Sequence, residues 1–176
     1  MMNLSLSSSV VPSQWKTARV VPIPKINPPM LAESDLRPIS ITSGISKVAE
    51  SFVCSFFNDH FDKIIDTNQF GCTSNRSIVL ALIKICDLLF RSADNSSNFI
   101  RILFIDFSKA FDVVDHNILL KKFEAYDFPP HIVAWSLSFL HERTQFVRVK
   151  NINSTFRLVN AGTPQGTRSG PNDFKL

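Results

Sequence analysis

A run of apolar residues that ends in an acid constrains the fold of this chain more than any other feature of its sequence. The segment Arg101–Phe107 has the wholly apolar centre Ile102–Ile105, and Asp106 follows directly. A strand that is apolar on both faces is typical of the covered centre of a sheet. Because an unpaired carboxylate is costly to desolvate, Asp106 must reach a surface or lie beside a cation. The segment therefore predicts a central strand with an acid at its tip.

The position of Asp106 suggests chemistry as well as structure. Mg²⁺ is commonly held by one or two protein oxygens, with substrate phosphates completing its shell, and a carboxylate at a strand end suits that role. The alternative is that Asp106 caps the turn that follows it. Asp112 and Asp115 are better placed to cap the next helix than to bind metal. The residues by themselves leave both interpretations of Asp106 open.

Apolar residues at helical spacing predict the helices. Their expected ranges are 44–65, 78–90 and 117–126, and a last helix starts at Pro129-Pro130. Asp115 is the expected N-cap of the third helix. The first helix is expected to pack through an apolar face made of Ile45, Val48, Phe52, Phe56 and Ile64.

Extended segments lie between these helices. Residues 18–24 are expected to form an edge strand, because the two prolines within them lack the N–H that a neighbouring strand would bond. A second extended segment covers 35–40, and the alternating residues 145–150 and 155–159 predict a hairpin. The mixed order of elements predicts an α+β fold with a mostly antiparallel sheet and packed helices.

Composition excludes several classes of protein. Of the 176 residues 44% are hydrophobic and 19% are charged, which excludes a globally disordered chain. The three cysteines lack Cys-x-x-Cys spacing, which argues against a disulfide framework and a zinc site and favours an intracellular compartment, nuclear or cytoplasmic. No apolar segment is long enough to span a membrane. The net charge of +4 is compatible with a polyanionic partner.

Ordered motifs resemble those of reverse transcriptases, specifically the enzymes of non-LTR (LINE-type) retrotransposons. Residues 104–116, which read FIDFSKAFDVVDH, are similar to the first catalytic motif of that family. Other segments with the same resemblance, in chain order, are Trp15–Lys25, Asp35–Ser40 with Lys47 and Glu50 behind it, Gln69–Gly71 with Arg76 and Ser77, the linker Trp135–Val149, and Ala161–Gly166.

The resemblance implies a partial fingers-and-palm polymerase fold and a fragment of an RNA-directed DNA polymerase. Residues from 1 to about 98 would be fingers and connecting helices, and those from about 99 to 176 would be a partial palm. The implied partners are an RNA template, a DNA primer and deoxynucleotides. Asp106, with the carbonyl of Phe107 nearby, would help hold the catalytic Mg²⁺ ions that drive transfer of a nucleotide to the primer 3′-OH.

The resemblance also implies residues that contact the incoming nucleotide. Phe111 would lie under its sugar, where an aromatic ring blocks a 2′-OH. Lys25 and Arg37 would reach the triphosphate, since ammonium and guanidinium groups both bind phosphate oxygens. Gln165 and Gly166 would form the turn that supports the template–nucleotide pair. Without the resemblance these residues would be a core aromatic, surface cations and an ordinary turn.

One departure from the family pattern bears on activity. The chain stops ten residues after Gly166 and contains no Asp-Asp pair, which the family carries in its next motif. Two carboxylates about 4 Å apart repel by roughly 4 kcal/mol at an effective dielectric constant of about 20. A complete site binds Mg²⁺ because the cation relieves this repulsion. Asp106 alone would hold the ion weakly, so this truncated chain is not expected to polymerise by itself.

Other interpretations stay open at this point. The chain could be a non-catalytic nucleic-acid-binding remnant of a retroelement, or a reading frame whose product has no activity. Maturases and telomerases share the palm, although the spacing after Asp106 is more similar to that of LINE-type enzymes. The remnant would bind phosphates through Lys16, Arg19, Lys25 and Arg37.

Overall fold

The computed structural model describes residues 1–94 and 99–170, apart from the side chains of residues 32, 33 and 62. In chain order the elements are α1 (Met2–Ser8), a short 3-10 turn (Ser13–Trp15), β1 (Thr17–Pro24), α2 (Ala32–Asp35), β2 (Leu36–Ile41), α3 (Gly44–Ile64), α4 (Ile78–Ala93), α5 (His116–Ala125), α6 (Pro130–Leu140), β3 (Arg143–Val149), β4 (Ile152–Asn153) and β5 (Arg157–Val159). The predicted mixture of helices and sheet is confirmed.

Two compact units divide the chain. The main unit joins Met1–Lys63 to the residues from Lys109 onwards, and the second unit is Ile64–Ser108. All of the strands belong to the main unit, as far as the described residues show. The predicted boundary near residue 98 between fingers and palm concerns roles within a polymerase, and it stays a prediction.

The sheet of the main unit has the strand order β2-β1-β3-β4, with β5 also paired to β3. β1 runs antiparallel to β2, with Val20 opposite Ser40, and parallel to β3, with Ala18 opposite Gln145. β4 and β5 both run antiparallel to β3. Within the described residues the sheet is therefore mostly antiparallel, and the hairpin expected at 145–159 is confirmed.

β1 is not the edge strand that its prolines predicted. Arg19 and Val20 pair with both neighbouring strands, and Thr17 and Ala18 pair with β3, whereas the second half of β1 extends beyond the register with β3 and pairs with β2. Pro22 and Pro24 both fall in this second half. Their missing N–H groups therefore leave the ladder with β3 intact, and the prolines mark the end of pairing on one side of the strand.

The central strand predicted at Arg101–Phe107 is wrong. These residues have no regular secondary structure, and their apolar side chains are exposed, with Leu103 83% and Phe104 82% accessible. A strand is stabilised by the neighbours that bond its backbone, and the strands of the described residues pair with one another in the main unit instead. Asp106 is consequently exposed.

α3 covers the predicted residues but turns a different face to the core. Phe52 and Phe56 of the predicted face are about half exposed, at 51% and 54%. The buried side instead carries Val53 and Phe57. Both stripes recur at helical spacing, so the sequence pattern did not distinguish them. The remaining residues of the buried stripe are Ser46, Ala49, Glu50, Cys54 and Phe61.

Aromatic side chains of α3, α5 and the turn after α5 form the centre of the core. The ring of Phe57 stacks on Phe123 with centroids 5.3 Å apart, and it lies the same distance from Phe128. Trp135 of α6 stacks on Phe139 and donates its indole N–H to the Ser5 hydroxyl at 3.1 Å, which ties α1 to α6. The buried residues of α3, α5 and α6 form one hydrophobic cluster, which also includes Val11 and Trp15 from the segment before β1.

α5 and α6 both begin close to where the sequence predicts. The side chain of Asp115 accepts the N–H groups of Asn117 and Ile118 at 2.7 and 3.2 Å, which confirms it as the N-cap of α5. α6 begins at Pro130, where a missing N–H costs nothing because the first turn has no partner for it. The cap at Asp115 therefore marks the point where the non-helical residues 109–115 end and α5 begins.

α4 forms where it was predicted and lies in the second unit. Ser77 caps it by accepting the Leu80 N–H at 3.2 Å. Most of its apolar side chains are exposed in the described part of the chain, and none of them is buried. Among the described residues, no helix combines the length and apolarity that a bilayer crossing requires.

We predict that the two apolar faces of α3 differ in their effect on stability. Phe57→Ala removes a ring packed against Phe123 and Phe128, so it is expected to lower the free energy of unfolding by about 3–5 kcal/mol. The matched control Phe52→Ala, on the exposed face, is expected to change it by about 1 kcal/mol or less. Urea denaturation followed by circular dichroism measures both. Equal losses would show that the burial pattern of α3 is wrong.

Candidate functional site

The loop of residues 161–170, called the turn loop below, joins segments that are distant in the sequence. Its Gly162 N–H donates to the carbonyl of Val114 at 2.9 Å, and its Thr163 N–H donates to the carbonyl of Phe111 at 2.7 Å. The turn loop also contains Gln165, which was predicted as a site residue. The structure therefore brings the backbone of Phe111 next to the loop that carries Gln165.

Gly162 permits this close approach. Its φ is +69°, and a Cβ atom at this position would lie only 2.6 Å from the Phe111 carbonyl oxygen and 2.7 Å from that of Asp112. Glycine is the residue that adopts this conformation without steric cost and leaves space for a neighbouring backbone. The carbonyl of Gly162 also lies 2.9 Å from Nε2 of His116, at hydrogen-bond distance. The start of the turn loop is thus held on the segment that leads into α5.

The other side of the turn loop is bonded to β2. The Ser40 N–H donates to the carbonyl of Gln165 at 2.8 Å. Gly166 has a φ of +97°, and a Cβ there would lie 3.2 Å from both the Ile39 side chain and the Ser40 carbonyl. Gln165 is half-buried and Gly166 is exposed. The turn predicted at these two residues is therefore present and is seated against β2.

Glu50 holds the turn loop from α3. Its side chain is fully buried, and its Oε2 atom accepts the N–H of Arg168 at 2.9 Å and that of Ser169 at 3.3 Å. Burial raises the pKa of the Glu50 carboxyl above its ordinary value of 4.5, and these two N–H groups partly oppose the rise because they stabilise the carboxylate. Ser46 donates its hydroxyl to the other oxygen, Oε1, at 3.2 Å.

Arg143 is a buried cation at the start of β3. Its guanidinium donates to the carbonyls of Leu140 at 3.2 Å, Ala161 at 3.1 Å and Gly162 at 2.8 Å. Buried charges require hydrogen-bonding partners, and carbonyl oxygens supply them here. Arg143 therefore attaches the turn loop to the β3 end of the sheet.

A cavity of about 230 Å³ opens beside the turn loop. Its walls include Ser40 of β2, Asp112, Arg143 and Gln145 of β3, and Gln165 of the turn loop. The lining thus combines a carboxylate, a guanidinium and two amides in one space. Such a lining favours a ligand group that forms several hydrogen bonds.

The other predicted nucleotide contacts lie in the main unit: Lys25 directly after β1, Arg37 on β2, and Phe111 in the segment before α5. Lys25 is exposed, and its Nζ donates to the carbonyl of Ser34 at 2.7 Å. Arg37 is exposed and stands opposite Ile23 in the β1–β2 register. Phe111 is half-buried, which leaves part of its ring accessible. These positions put Lys25, Arg37 and Phe111 in the same unit as the turn loop.

The residues predicted for the metal lie in the second unit. Asp106 and Phe107 are both exposed there, in the segment without regular structure. Among the described residues, no three or more His, Cys, Asp or Glu side chains form a group that could hold a metal ion. Metal binding by Asp106 and the Phe107 carbonyl therefore stays a prediction, and no reaction step follows from these two residues alone.

Sequence reasoning did not identify the roles of Glu50, Arg143 and Gly162. A signal for Glu50 was present, because it occupies the same stripe of α3 as Ala49 and Val53 and is a charge on an otherwise apolar face. Such a residue needs buried partners. No comparable signal marked Gly162, whose neighbours are distant in the sequence.

We predict that Gly162→Ala destabilises the chain, because the new Cβ would collide with backbone oxygens at a positive φ. The expected loss is about 2 kcal/mol or more of unfolding free energy. Gly44→Ala is the matched control, since a Cβ at Gly44 meets nothing within 4 Å. Chemical denaturation of both variants measures the difference. If Gly162→Ala were as stable as Gly44→Ala, the proposed close approach of the turn loop would be refuted.

We predict a pH dependence that originates at Glu50. Its folded-state pKa is raised, so the native chain binds the proton more tightly than the unfolded chain does. The stabilisation from this group is fully present below the unfolded pKa and is lost as the pH rises through the folded pKa. The unfolding free energy of the wild type minus that of Glu50→Gln should therefore fall with rising pH and then level off. Denaturation at a series of pH values tests this, and a difference that rises with pH would contradict it.

Comparison with known proteins identifies the family. The profile described as reverse transcriptase (RNA-dependent DNA polymerase) matches residues 23–176. The chain is 32% identical over 171 residues to the "Probable RNA-directed DNA polymerase from transposon BS" of Drosophila melanogaster, with 96% of this chain and 19% of that protein covered. It is 29% identical over 176 residues to the "RNA-directed DNA polymerase from mobile element jockey" of the same species, covering 99% of this chain and 19% of the relative.

A third Drosophila melanogaster relative agrees with these two. The "Probable RNA-directed DNA polymerase from transposon X-element" is 31% identical over 162 residues, which cover 91% of this chain and 18% of that protein. The chain thus spans about a fifth of the length of the curated relatives it matches. The resemblance seen in the motifs is confirmed, and the chain belongs to the reverse transcriptase (RNA-dependent DNA polymerase) family.

Proposed function

We propose that this chain supplies the nucleotide- and template-contacting part of an RNA-directed DNA polymerase that copies a retroelement. The observation that carries the proposal is the turn loop, which bonds to β2 on one side and to residues 111–114 on the other. Each of these three segments falls within a stretch whose sequence resembles a reverse transcriptase motif. Their meeting in one place supports a common site. The names of the relatives, all RNA-directed DNA polymerases, support the chemistry.

The proposed roles follow the chemistry of each side chain. Gln165 and Gly166 support the template–nucleotide pair, because the turn that carries them is fixed at β2 and open at Gly166. The accessible part of Phe111 packs under the sugar of the nucleotide. Lys25 and Arg37 bind the triphosphate, a role that their exposed positive groups allow. Residues from 1 to about 98 then act as fingers and connecting helices, and those from about 99 as part of the palm.

Asp106 is the proposed carboxylate ligand of Mg²⁺, with the carbonyl of Phe107 beside it. When bound, the ions would stabilise the charge that develops as the primer 3′-OH displaces pyrophosphate. Among the described residues, no cluster of three or more His, Cys, Asp or Glu side chains could hold a metal ion, so Asp106 would need further ligands to bind Mg²⁺ firmly. For this reason we propose that the chain alone binds nucleic acid without extending it.

We predict that the chain binds an RNA template annealed to a DNA primer, with an affinity that falls as salt rises. Phosphate contacts release counterions, so the logarithm of the binding constant should fall linearly with that of the salt concentration. Arg37→Ala should weaken binding in the presence of Mg²⁺ and deoxynucleotide by roughly tenfold, the effect of losing a charge-assisted hydrogen bond. Lys121→Ala, on the exposed face of α5, is the control and should leave binding unchanged. Fluorescence anisotropy measures each affinity.

The outcomes separate the interpretations. A salt slope near zero would exclude a phosphate-contacting role. The expected result is salt-dependent binding, with no more nucleotide incorporation by the wild type than by Asp106→Asn. This result fits either a polymerase segment or a non-catalytic remnant. Within that result, a tenfold effect of Arg37→Ala that requires the deoxynucleotide favours the polymerase segment. Incorporation above the Asp106→Asn control would show that the chain suffices for catalysis.

A further inference from the structure

We propose that Glu50 is a positioning residue that holds the Gln165–Gly166 turn in place from behind. This inference rests on the proposed function in one respect only, namely that the turn supports the template–nucleotide pair. Its structural content stands on the contacts of Glu50 with the turn loop, which belong to the main unit.

The carboxylate of Glu50 is directed at the backbone immediately after the turn. Oε2 accepts the N–H groups of Arg168 and Ser169, at 2.9 and 3.3 Å, and the Ser169 hydroxyl lies 3.4 Å from the same oxygen. Oε1 accepts the Ser46 hydroxyl at 3.2 Å. Both oxygens of the buried group are therefore bonded, and one of them is devoted to the turn loop. Bonds to an ionised acceptor are stronger than those between neutral groups.

The position of Glu50 on α3 makes this contact rigid. The residue lies one helical turn after Ser46 and on the same buried face as Val53 and Phe57. That face is packed against the aromatic core, so the carboxylate has little freedom to move. The backbone of Arg168 and Ser169 is consequently bonded to a fixed acceptor.

Hydrogen bonds on either side of the Gln165–Gly166 turn hold it in position. In front, the Ser40 N–H bonds the carbonyl of Gln165, and behind, Glu50 bonds residues 168 and 169. The Thr167 hydroxyl donates to the Pro164 carbonyl at 2.8 Å, but this bond lies inside the turn loop. It shapes the loop without fixing its place relative to α3. Glu50 supplies that second reference point.

Substitutions at Glu50 separate a positioning role from general support of the core. In Glu50→Gln the amide oxygen can still accept from Arg168 and Ser169, while its NH₂ group can donate to Ser46. Glu50→Ala removes every one of these bonds. Val53→Ala is the matched control, because it weakens the same buried face of α3 and removes none of these hydrogen bonds. Rescue by Gln but not by Ala is the signature of positioning.

Amide hydrogen exchange of the full chain, followed residue by residue by NMR, tests the proposal. In Glu50→Ala the amides of Arg168 and Ser169 should exchange at least about tenfold faster than in Val53→Ala, compared at equal global stability. In Glu50→Gln they should exchange at close to the wild-type rate. Equal exchange in Glu50→Ala and Val53→Ala, or exchange in Glu50→Gln as fast as in Glu50→Ala, would overturn the proposal.

A second variant and a binding measurement complete the design. If Glu50→Ala does not fold, Glu50→Asp withdraws the carboxylate by one methylene and should raise exchange at the same amides. Affinity for the RNA–DNA primer–template should fall in the variants with fast exchange and should be retained in Glu50→Gln. Faster amide exchange at Arg168 and Ser169 without a loss of primer–template affinity would refute the proposed link between Glu50 and template binding. A wild-type chain that binds no primer–template would refute the proposed function, while the exchange result would still decide the role of Glu50.

Discussion

Backbone hydrogen bonds of the turn loop hold the candidate site together. Its N–H groups reach the carbonyls of Phe111 and Val114, and its carbonyl at Gln165 accepts from Ser40 of β2. These bonds join segments that are far apart in the sequence, and they allow little side-chain variation at Gly162, where a Cβ would collide with backbone. The geometry of the site therefore depends on main-chain contacts that local sequence patterns do not reveal.

Buried charges reinforce this arrangement from both sides. Arg143 donates to the carbonyls of Ala161 and Gly162 at the start of the turn loop, and Glu50 accepts the N–H groups of Arg168 and Ser169 at its end. Each charge is costly to bury, and each is offset by backbone dipoles that present their end of opposite sign. The turn loop is thus hydrogen-bonded near its two ends to side chains of opposite charge type, which fixes its position between α3 and β3.

Much of the local structure was predictable, and the errors share one physical cause. The helices at 44–64 and 116–125 and the cap at Asp115 arise from propensity and short-range bonds, so the sequence predicted them closely. The predicted packing face of α3 is wrong, because two stripes of that helix carry apolar residues at the same spacing and packing against residues distant in the chain, among them Phe123 and Phe128, selects between them. The segment 101–107 has the pattern of a covered strand, but a strand also needs neighbours, and those cannot be read from the segment itself.

By itself the sequence determined the family, the approximate positions of α3 to α6 and of β1, β2, β3 and β5, and the segments that carry the candidate site, because motifs and propensities are properties of short stretches. The tertiary structure alone decided which face of α3 is buried, that Glu50 and Arg143 bind the turn loop, and that residues 111–114, β2 and the turn loop meet. These features depend on contacts between residues distant in the chain. Burial and hydrogen-bond partners are set by such contacts, which no local pattern encodes.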